Sequence, residues 1–270
     1  MPDATPILAC RGVTVRFGGV TALDRVDFEA RPGRITAVIG PNGAGKTTLF
    51  NAVTGMVRAA EGRVHLSGND ITAMEPHRRG RAGVVRTFQN LEIFTNMSVL
   101  ENVMTGGHRR VGYGVLDCLL RTPRFRREEA RCLEEAMKRL AFVGLEDKAG
   151  HASGDLAFGL QRMLEIARAI AADPDLLLLD EPAAGLNMKE TQRLGELIRR
   201  IRDELGVSIV LVEHDMDLVM NISDRIMVLN HGRVIAEGEP LDVQRNPEVV
   251  RAYLGEDDDW ERQAYGSVRA

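Results

Sequence analysis

The sequence predicts an α/β fold: a parallel sheet covered by helices on both faces, with an antiparallel β layer beside it and a helical subdomain inserted. Three observations predict it. A glycine-rich segment, Gly40 to Thr47, fits G-x-x-x-x-G-K-[ST] without a mismatch and lies between a strand-like and a helix-like run. Further on, short apolar runs at Leu176–Leu179 and Val207–Val212 alternate with amphipathic stretches, the pattern of a parallel sheet buried on both faces. From Leu91 to about residue 158 the texture changes to charged segments with apolar residues at helical spacing.

Composition sets the outer limits. With 270 residues, 44% of them hydrophobic and 27% charged, the chain resembles an ordinary soluble globular protein. One large domain is expected over 1–255, with the helical subdomain at about 91–158 and an acidic, flexible tail over 256–270. No apolar run approaches the roughly 18–20 residues of a membrane helix, and the first residues lack the basic and apolar parts of a secretory signal. Any membrane association is therefore expected through a partner. A net charge of −4 argues against a nucleic-acid partner. Two basic runs, His77–Arg81 and Arg121–Arg127, read as solvated helix faces. Cys10, Cys118 and Cys132 lie far apart without metal-ligand spacing and read as reduced, non-functional thiols.

Taken in order, Ile7–Phe17 and Leu23–Ala30 read as strands, and Arg31–Gly33 turns into the β-branched run Ile35–Ile39. Thr48–Val53 reads as a helix stopped at Gly55, and Gly62–Leu66 as a strand ending in the turn Ser67–Asp70. Ser98 with Glu101 three residues on forms a helix-start signature, and Glu128–Leu140 has helical spacing; Gly106–Pro123 is left unassigned. Leu160, Met163, Leu164, Ala167 and Ile170 form one helix stripe, ended by Asp173 and Pro174. Leu194, Leu197, Ile198, Ile201 and Leu205 form another, stopped by Gly206. Arg225–Leu229 and Arg233–Ala236 read as strands joined by the turn Asn230–Gly232.

Strand, glycine loop and helix in that order place backbone N–H groups and a positive helix end around an anion. Gly40, Pro41, Asn42, Gly43, Ala44, Gly45, Lys46, Thr47 and Thr48 are the expected nucleotide-binding residues. Lys46 is expected to reach the β- and γ-phosphates of a nucleoside triphosphate and the Thr47 hydroxyl to ligate Mg²⁺. Asp180 and Glu181 close the apolar run Leu176–Leu179, so two carboxylates stand at the end of a buried strand. Asp180 then holds Mg²⁺ in concert with Thr47, and Glu181 polarises the attacking water.

With these residues in place, the chain resembles the ATP-binding subunits of ABC transporters from about Ile7 to Leu254. The resemblance rests on an ordered set: the phosphate loop, Gln89 within Thr87–Asn90, Leu156–Gln161, Asp180 with Glu181, Gly185–Asn187, and His214. It implies an ABC-type P-loop ATPase core. Phe17 would stack on adenine, where the alternative is a core phenylalanine. Gln89 would sense Mg²⁺ and the attacking water and link the site to a membrane partner; His214 would contact the γ-phosphate and hold the water with Glu181. Two departures stand out. The family usually has Leu-Ser-Gly-Gly-Gln where this chain has Leu156, Ala157, Phe158, Gly159 and Leu160, and commonly an aspartate where Asn187 stands. Loss of the serine hydroxyl removes a charge-assisted bond to the opposite subunit's ATP, about 1.5–3 kcal/mol if nothing replaces it. Gly159 and the helix N-terminus near Leu160 can still face that phosphate.

Leu156–Gly159, Glu181–Asn187, Glu213–Met220, Arg86–Asn90 and Asn96–Asn102 are most similar to one ATPase subunit of branched-chain amino-acid importers. The resemblance implies a head-to-tail dimer closing over two ATP molecules, with a different chain as the second ATP-binding subunit. It also implies two integral membrane permeases, a periplasmic or extracellular solute-binding protein and a place on the cytoplasmic face of the membrane. Importers of amides or urea, and soluble ABC proteins outside transport, are the alternatives. A P-loop kinase or GTPase would leave Gln89, the signature-like segment and His214 unexplained.

Overall fold

In the computed structural model, residues 5–108, 112 and 114–253 are described. The tail expected over 256–270 lies outside them. The chain opens with β1 (Leu8–Phe17), β2 (Val20–Ala30), β3 (Ile35–Ile39), α1 (Lys46–Thr54), β4 (Glu61–Leu66), β5 (Asn69–Asp70) and α2 (Pro76–Arg81). It continues through β6 (Val84–Arg86), α3 (Val99–Gly107), α4 (Val115–Leu120), α5 (Pro123–Val143), α6 (Phe158–Ala171), β7 (Leu176–Asp180) and α7 (Met188–Leu205). Then follow β8 (Ser208–Val212), α8 (Met216–Ile222), β9 (Arg225–Asn230), β10 (Arg233–Gly238) and α9 (Pro240–Gln244). The described residues cluster into two compact units, one within Met1–Arg79 and Ser208–Ala270, the other Gly80–Val207.

The first unit contains both expected kinds of sheet. Strands β2, β1, β4 and β5 pair antiparallel in that spatial order. β3 lies between β8 and β9 and runs parallel to both, while β10 returns antiparallel along β9. Every residue of β3 and β8 is buried, so neither strand alternates, as a parallel strand covered on both faces requires. Asp224 pins the register: its Oδ2 accepts the Ile35 N–H at 2.8 Å, and its own N–H donates to the Ile35 carbonyl at 2.8 Å. A core of Ala37, Ile39, Val219, Ile226, Val228 and Val243 fills the space under α8 and α9.

One expectation is corrected here. Arg79, read with its neighbours as part of a solvated basic face, is 3% exposed. Its guanidinium donates to the carbonyls of Ala52 and Val53 at 2.7 and 2.8 Å, and to those of Thr72 and Met74 at 2.8 and 2.9 Å. The last turn of a helix leaves carbonyls without intrahelical partners, and a buried cation satisfies two of them here. The run Arg121–Arg127 does carry exposed arginines, as expected.

In the second unit β6 and β7 pair in parallel, Val84 opposite Leu176 and Arg86 opposite Leu178. Helices α3, α5 and α6 share a core of Val99, Val103, Ala136, Leu140, Leu164 and Ala167. The expected helix start at Ser98 is a full capping box: Ser98 Oγ accepts the Glu101 N–H, and the Glu101 carboxylate accepts the Ser98 N–H. Asn187 caps α7 in the same way with Glu190. Helices α1 and α7 end on Gly55 and Gly206, both left-handed, as expected. Helix α5 runs well beyond the expected Glu128–Leu140, and part of the unassigned stretch forms α4. Of the three cysteines, all free, Cys10 is buried, Cys132 is half-buried and Cys118 on α4 is exposed.

Candidate nucleotide site

In the first unit the phosphate loop runs from the end of β3 into α1, as its sequence context predicts. Gly40 has φ 150°, and a Cβ there would collide with the Leu229 carbonyl. Gly45, at φ 107°, caps α1 where a Cβ would lie 2.8 Å from the Ala22 carbonyl oxygen. The loop's course therefore depends on glycine at both ends. Ala44 is buried while Asn42, Gly43 and Thr47 are exposed, so the loop presents backbone and a hydroxyl to a ligand. Lys46 is 6% exposed; its ammonium donates to the Gly40 and Pro41 carbonyls at 2.6 and 2.9 Å, which folds the cation inside the loop. With the N-terminus of α1 beside it, this is an anion cradle.

Phe17 ends β1 opposite Val20 and is 49% exposed. The alternative of a core phenylalanine is set aside by that exposure; an exposed ring at a strand tip suits stacking on a base. His214 is also exposed, two residues past β8. Beneath it, buried Glu213 accepts the His214 N–H at 2.9 Å, and Asp215 caps α8 by accepting the Leu218 N–H at 3.0 Å.

The second unit holds the carboxylates. Asp180 is the last residue of β7, 4% exposed, and its Oδ2 accepts from Arg86 Nη2 at 2.6 Å. Glu181 follows with φ 48°, a left-handed conformation that a branched or long side chain adopts at a cost of about 1 kcal/mol or more. That turn aims its carboxylate at Gln89, whose Nε2 donates to Glu181 Oε2 at 2.7 Å. The structure thus brings together the two expected hydrolytic residues of this unit. A carboxylate can only accept, so the Gln89 amide turns its nitrogen to Glu181 and its carbonyl oxygen away.

The altered signature starts α6. Ala157 is its N-cap and supplies no side-chain cap bond; Phe158 is 45% exposed, Gly159 is buried and Leu160 half-buried. The helix begins at Phe158, two residues earlier than expected, so its first amide groups lie within the signature itself.

For a divalent cation the donor set is informative. The described residues hold no cluster of three or more His, Cys, Asp or Glu suited to a metal. Within the second unit Asp180 and Gln89 offer one carboxylate and one amide oxygen, and within the first Thr47 presents an exposed hydroxyl. Hard oxygen donors with a single carboxylate fit Mg²⁺, which takes its other ligands from phosphates and water. Sequence reasoning missed Arg86, which holds Asp180, and the buried pair Arg162 and Glu165 on α6, joined at 2.7 Å. The available signal was two opposite charges three residues apart, Arg162 and Glu165, set between the residues of an apolar helix stripe.

Comparison with known proteins identifies the family. The family model described as ABC transporter matches residues 23–184, and one described as branched-chain amino acid ATP-binding cassette transporter matches residues 233–259. The chain is 46% identical over 251 residues to the high-affinity branched-chain amino acid transport ATP-binding protein BraF of Pseudomonas aeruginosa, covering 93% of this chain and 98% of that one. It is 45% identical, with the same coverage, to the protein of that description, LivG, of Escherichia coli. Among solved structures, the ADP conformation of MJ1267, an ATP-binding cassette of an ABC transporter, superposes with a TM-score of 0.80 at 35% identity, over 93% of this chain and 99% of that one. A nucleotide-free cassette from an ABC transporter gives 0.79 at 34% identity, over 92% and 98%. Loop, carboxylates, fold and relatives converge: the chain belongs to the ATP-binding cassette family of ABC transporters.

Proposed function

We propose that this ABC-type ATPase drives the import of branched-chain amino acids through membrane permease partners. The observation that carries the chemistry is the Gln89–Glu181 contact at 2.7 Å, directly after a buried strand ending in Asp180. The solute class is supported by relatives of 45–46% identity that bear that description over 98% of their length.

Phosphoryl transfer to water depends mainly on positioning and electrostatic stabilisation. Lys46, the loop amides and the N-terminus of α1 bind and orient the phosphates of ATP, and Phe17 stacks on the adenine. Glu181 accepts a proton from the attacking water; Gln89 fixes the direction of that carboxylate through Nε2. His214 contacts the γ-phosphate and holds the water together with Glu181. Thr47, Asp180 and Gln89 would hold Mg²⁺, which when bound neutralises charge on the β- and γ-phosphate oxygens. Ala157, Phe158, Gly159 and Leu160 cover the ATP held by the second subunit, through backbone N–H groups in place of the missing hydroxyl.

Among the described residues no helix is long and apolar enough to cross a membrane. The family reading places the chain against two membrane permeases. The second ATPase is a different chain, a solute-binding protein delivers the amino acid from outside, and this chain works on the cytoplasmic face. ATP needs only to favour the closed dimer over the open one to drive the cycle.

The test is uptake. Cells whose only copy carries Glu181→Gln should lose import of labelled leucine. The purified complex should bind ATP within about threefold of the unaltered affinity while hydrolysis falls by about 10²–10⁴-fold. Hydrolysis at the unaltered rate would remove Glu181 from its role, and normal leucine uptake would refute the transport assignment.

A further inference from the structure

Helix α6 carries a buried charged face that the hydrolytic chemistry leaves unused. Arg162 is 1% exposed and Glu165 2%, and Arg162 Nη1 donates to Glu165 Oε2 at 2.7 Å. A buried ion pair is weak evidence for stability, because desolvation offsets most of the attraction. The remaining bonds of the guanidinium give it another use. Nη1 also donates to the Phe88 carbonyl at 3.2 Å, and Nη2 donates to the Gln89 carbonyl at 3.1 Å. Further along the same face, Arg168 donates to the Glu92 carbonyl and lies 5.3 Å from the Phe94 ring centroid. One helix thus holds the carbonyls of Phe88, Gln89 and Glu92 and sets an arginine over the Phe94 ring. The planar fork of arginine can reach two carbonyls and a carboxylate together; a lysine ammonium on the same stem cannot match that geometry.

The other end of α6 reaches the second half of the hydrolytic pair. The Phe158 ring packs on Gly185, in the turn after Glu181, where a Cβ would lie only 3.0 Å from ring atom Cε1. The same ring lies 5.8 Å beneath the Arg162 guanidinium. Gln89 is held from α6 through Arg162, and the turn behind Glu181 is touched through Phe158. Both contacts start within five residues of Ala157, the point where the second subunit's nucleotide is proposed to sit.

We infer that Arg162 is a positioning residue that holds Gln89 in register with Glu181. The inference rests on the roles proposed above for Gln89 and Glu181.

The test uses the assembled transporter complex. Arg162→Met alone strands the Glu165 carboxylate in the core, so the informative variant combines Arg162→Met with Glu165→Leu and removes both charges together. The kcat for ATP should fall about tenfold or more while KM stays within about twofold, since positioning and not binding is lost. Added to Gln89→Ala, the same pair should lower kcat by less than about twofold further, because both act through one contact. Arg162→Lys, which keeps the charge and loses the fork, should not restore kcat. Unchanged kcat in the paired variant would overturn the inference. So would a full tenfold loss on top of Gln89→Ala, which would leave the role of Gln89 standing and make Arg162 merely structural. If Gln89→Ala alone hydrolyses ATP at the unaltered rate, the reading of Gln89 falls first and the inference falls with it.

Discussion

Glu165 shows how the surroundings of one carboxylate become a property of the folded state. Burial raises its pKa above the ordinary 4.5; the attraction of Arg162 and their hydrogen bond oppose the shift without cancelling it. The folded chain therefore binds this proton more tightly than the unfolded chain does. Between 4.5 and the raised value the folded state holds more protons, so stability falls as pH rises through that window. Melting curves recorded across pH should show this downward component in the unaltered protein and lose it in Glu165→Gln. An identical pH dependence in the two proteins would mean that Arg162 offsets the burial completely. At the same scale Glu181 carries its own cost, a carboxylate residue in left-handed backbone. Its letter in the sequence pointed to its chemistry; its φ could not be read there, because that comes from the turn between β7 and Asn187.

At the scale of the element, α1 joins two separate electrostatic problems. Its N-terminus faces outward as an anion cradle, and its C-terminus is buried against the carbonyl-binding guanidinium of Arg79. A cation at the C-terminal end also favours the helix dipole. Replacing Arg79 with Met should cost on the order of 3 kcal/mol, since two buried and two part-buried carbonyls lose a charged donor. Chemical denaturation would measure it, and a loss below about 0.5 kcal/mol would place Arg79 among ordinary surface residues. Sequence alone put Arg79 in solvent because a basic run in a short helix has no period that separates a buried cation from exposed ones. The longer elements were legible for the converse reason. The capping boxes at Ser98 and Asn187, and the stripes of α6 and α7, each repeat a local rule several times over. The short α2, α4, α8, α9 and β6 offer too few residues for any period to appear.

For the whole molecule, the readable features were those that depend on order along the chain. The phosphate loop, Gln89, Asp180 with Glu181, and His214 follow one another in the order the family shows, and β3 and β8 read as buried strands because apolar and β-branched residues fill them, with Thr36 and Ser208 the polar members. Partnerships across long separations were not readable: Arg86 with Asp180, or Arg162 with the Phe88 and Gln89 carbonyls, join residues 73 to 94 positions apart. No local pattern encodes such a pair. The three thiols distribute themselves in a way that offers a practical use. Burial pushes the Cys10 thiol up to about 12 and raises that of Cys132, whereas Cys118 stands exposed on α4. Since alkylation proceeds through the thiolate and needs access, a maleimide dye at neutral pH should attach once, at Cys118. Peptide mass mapping would check it. A single fluorophore could then be placed on the helical unit of the natural sequence, without engineering, and its emission followed through the transport cycle.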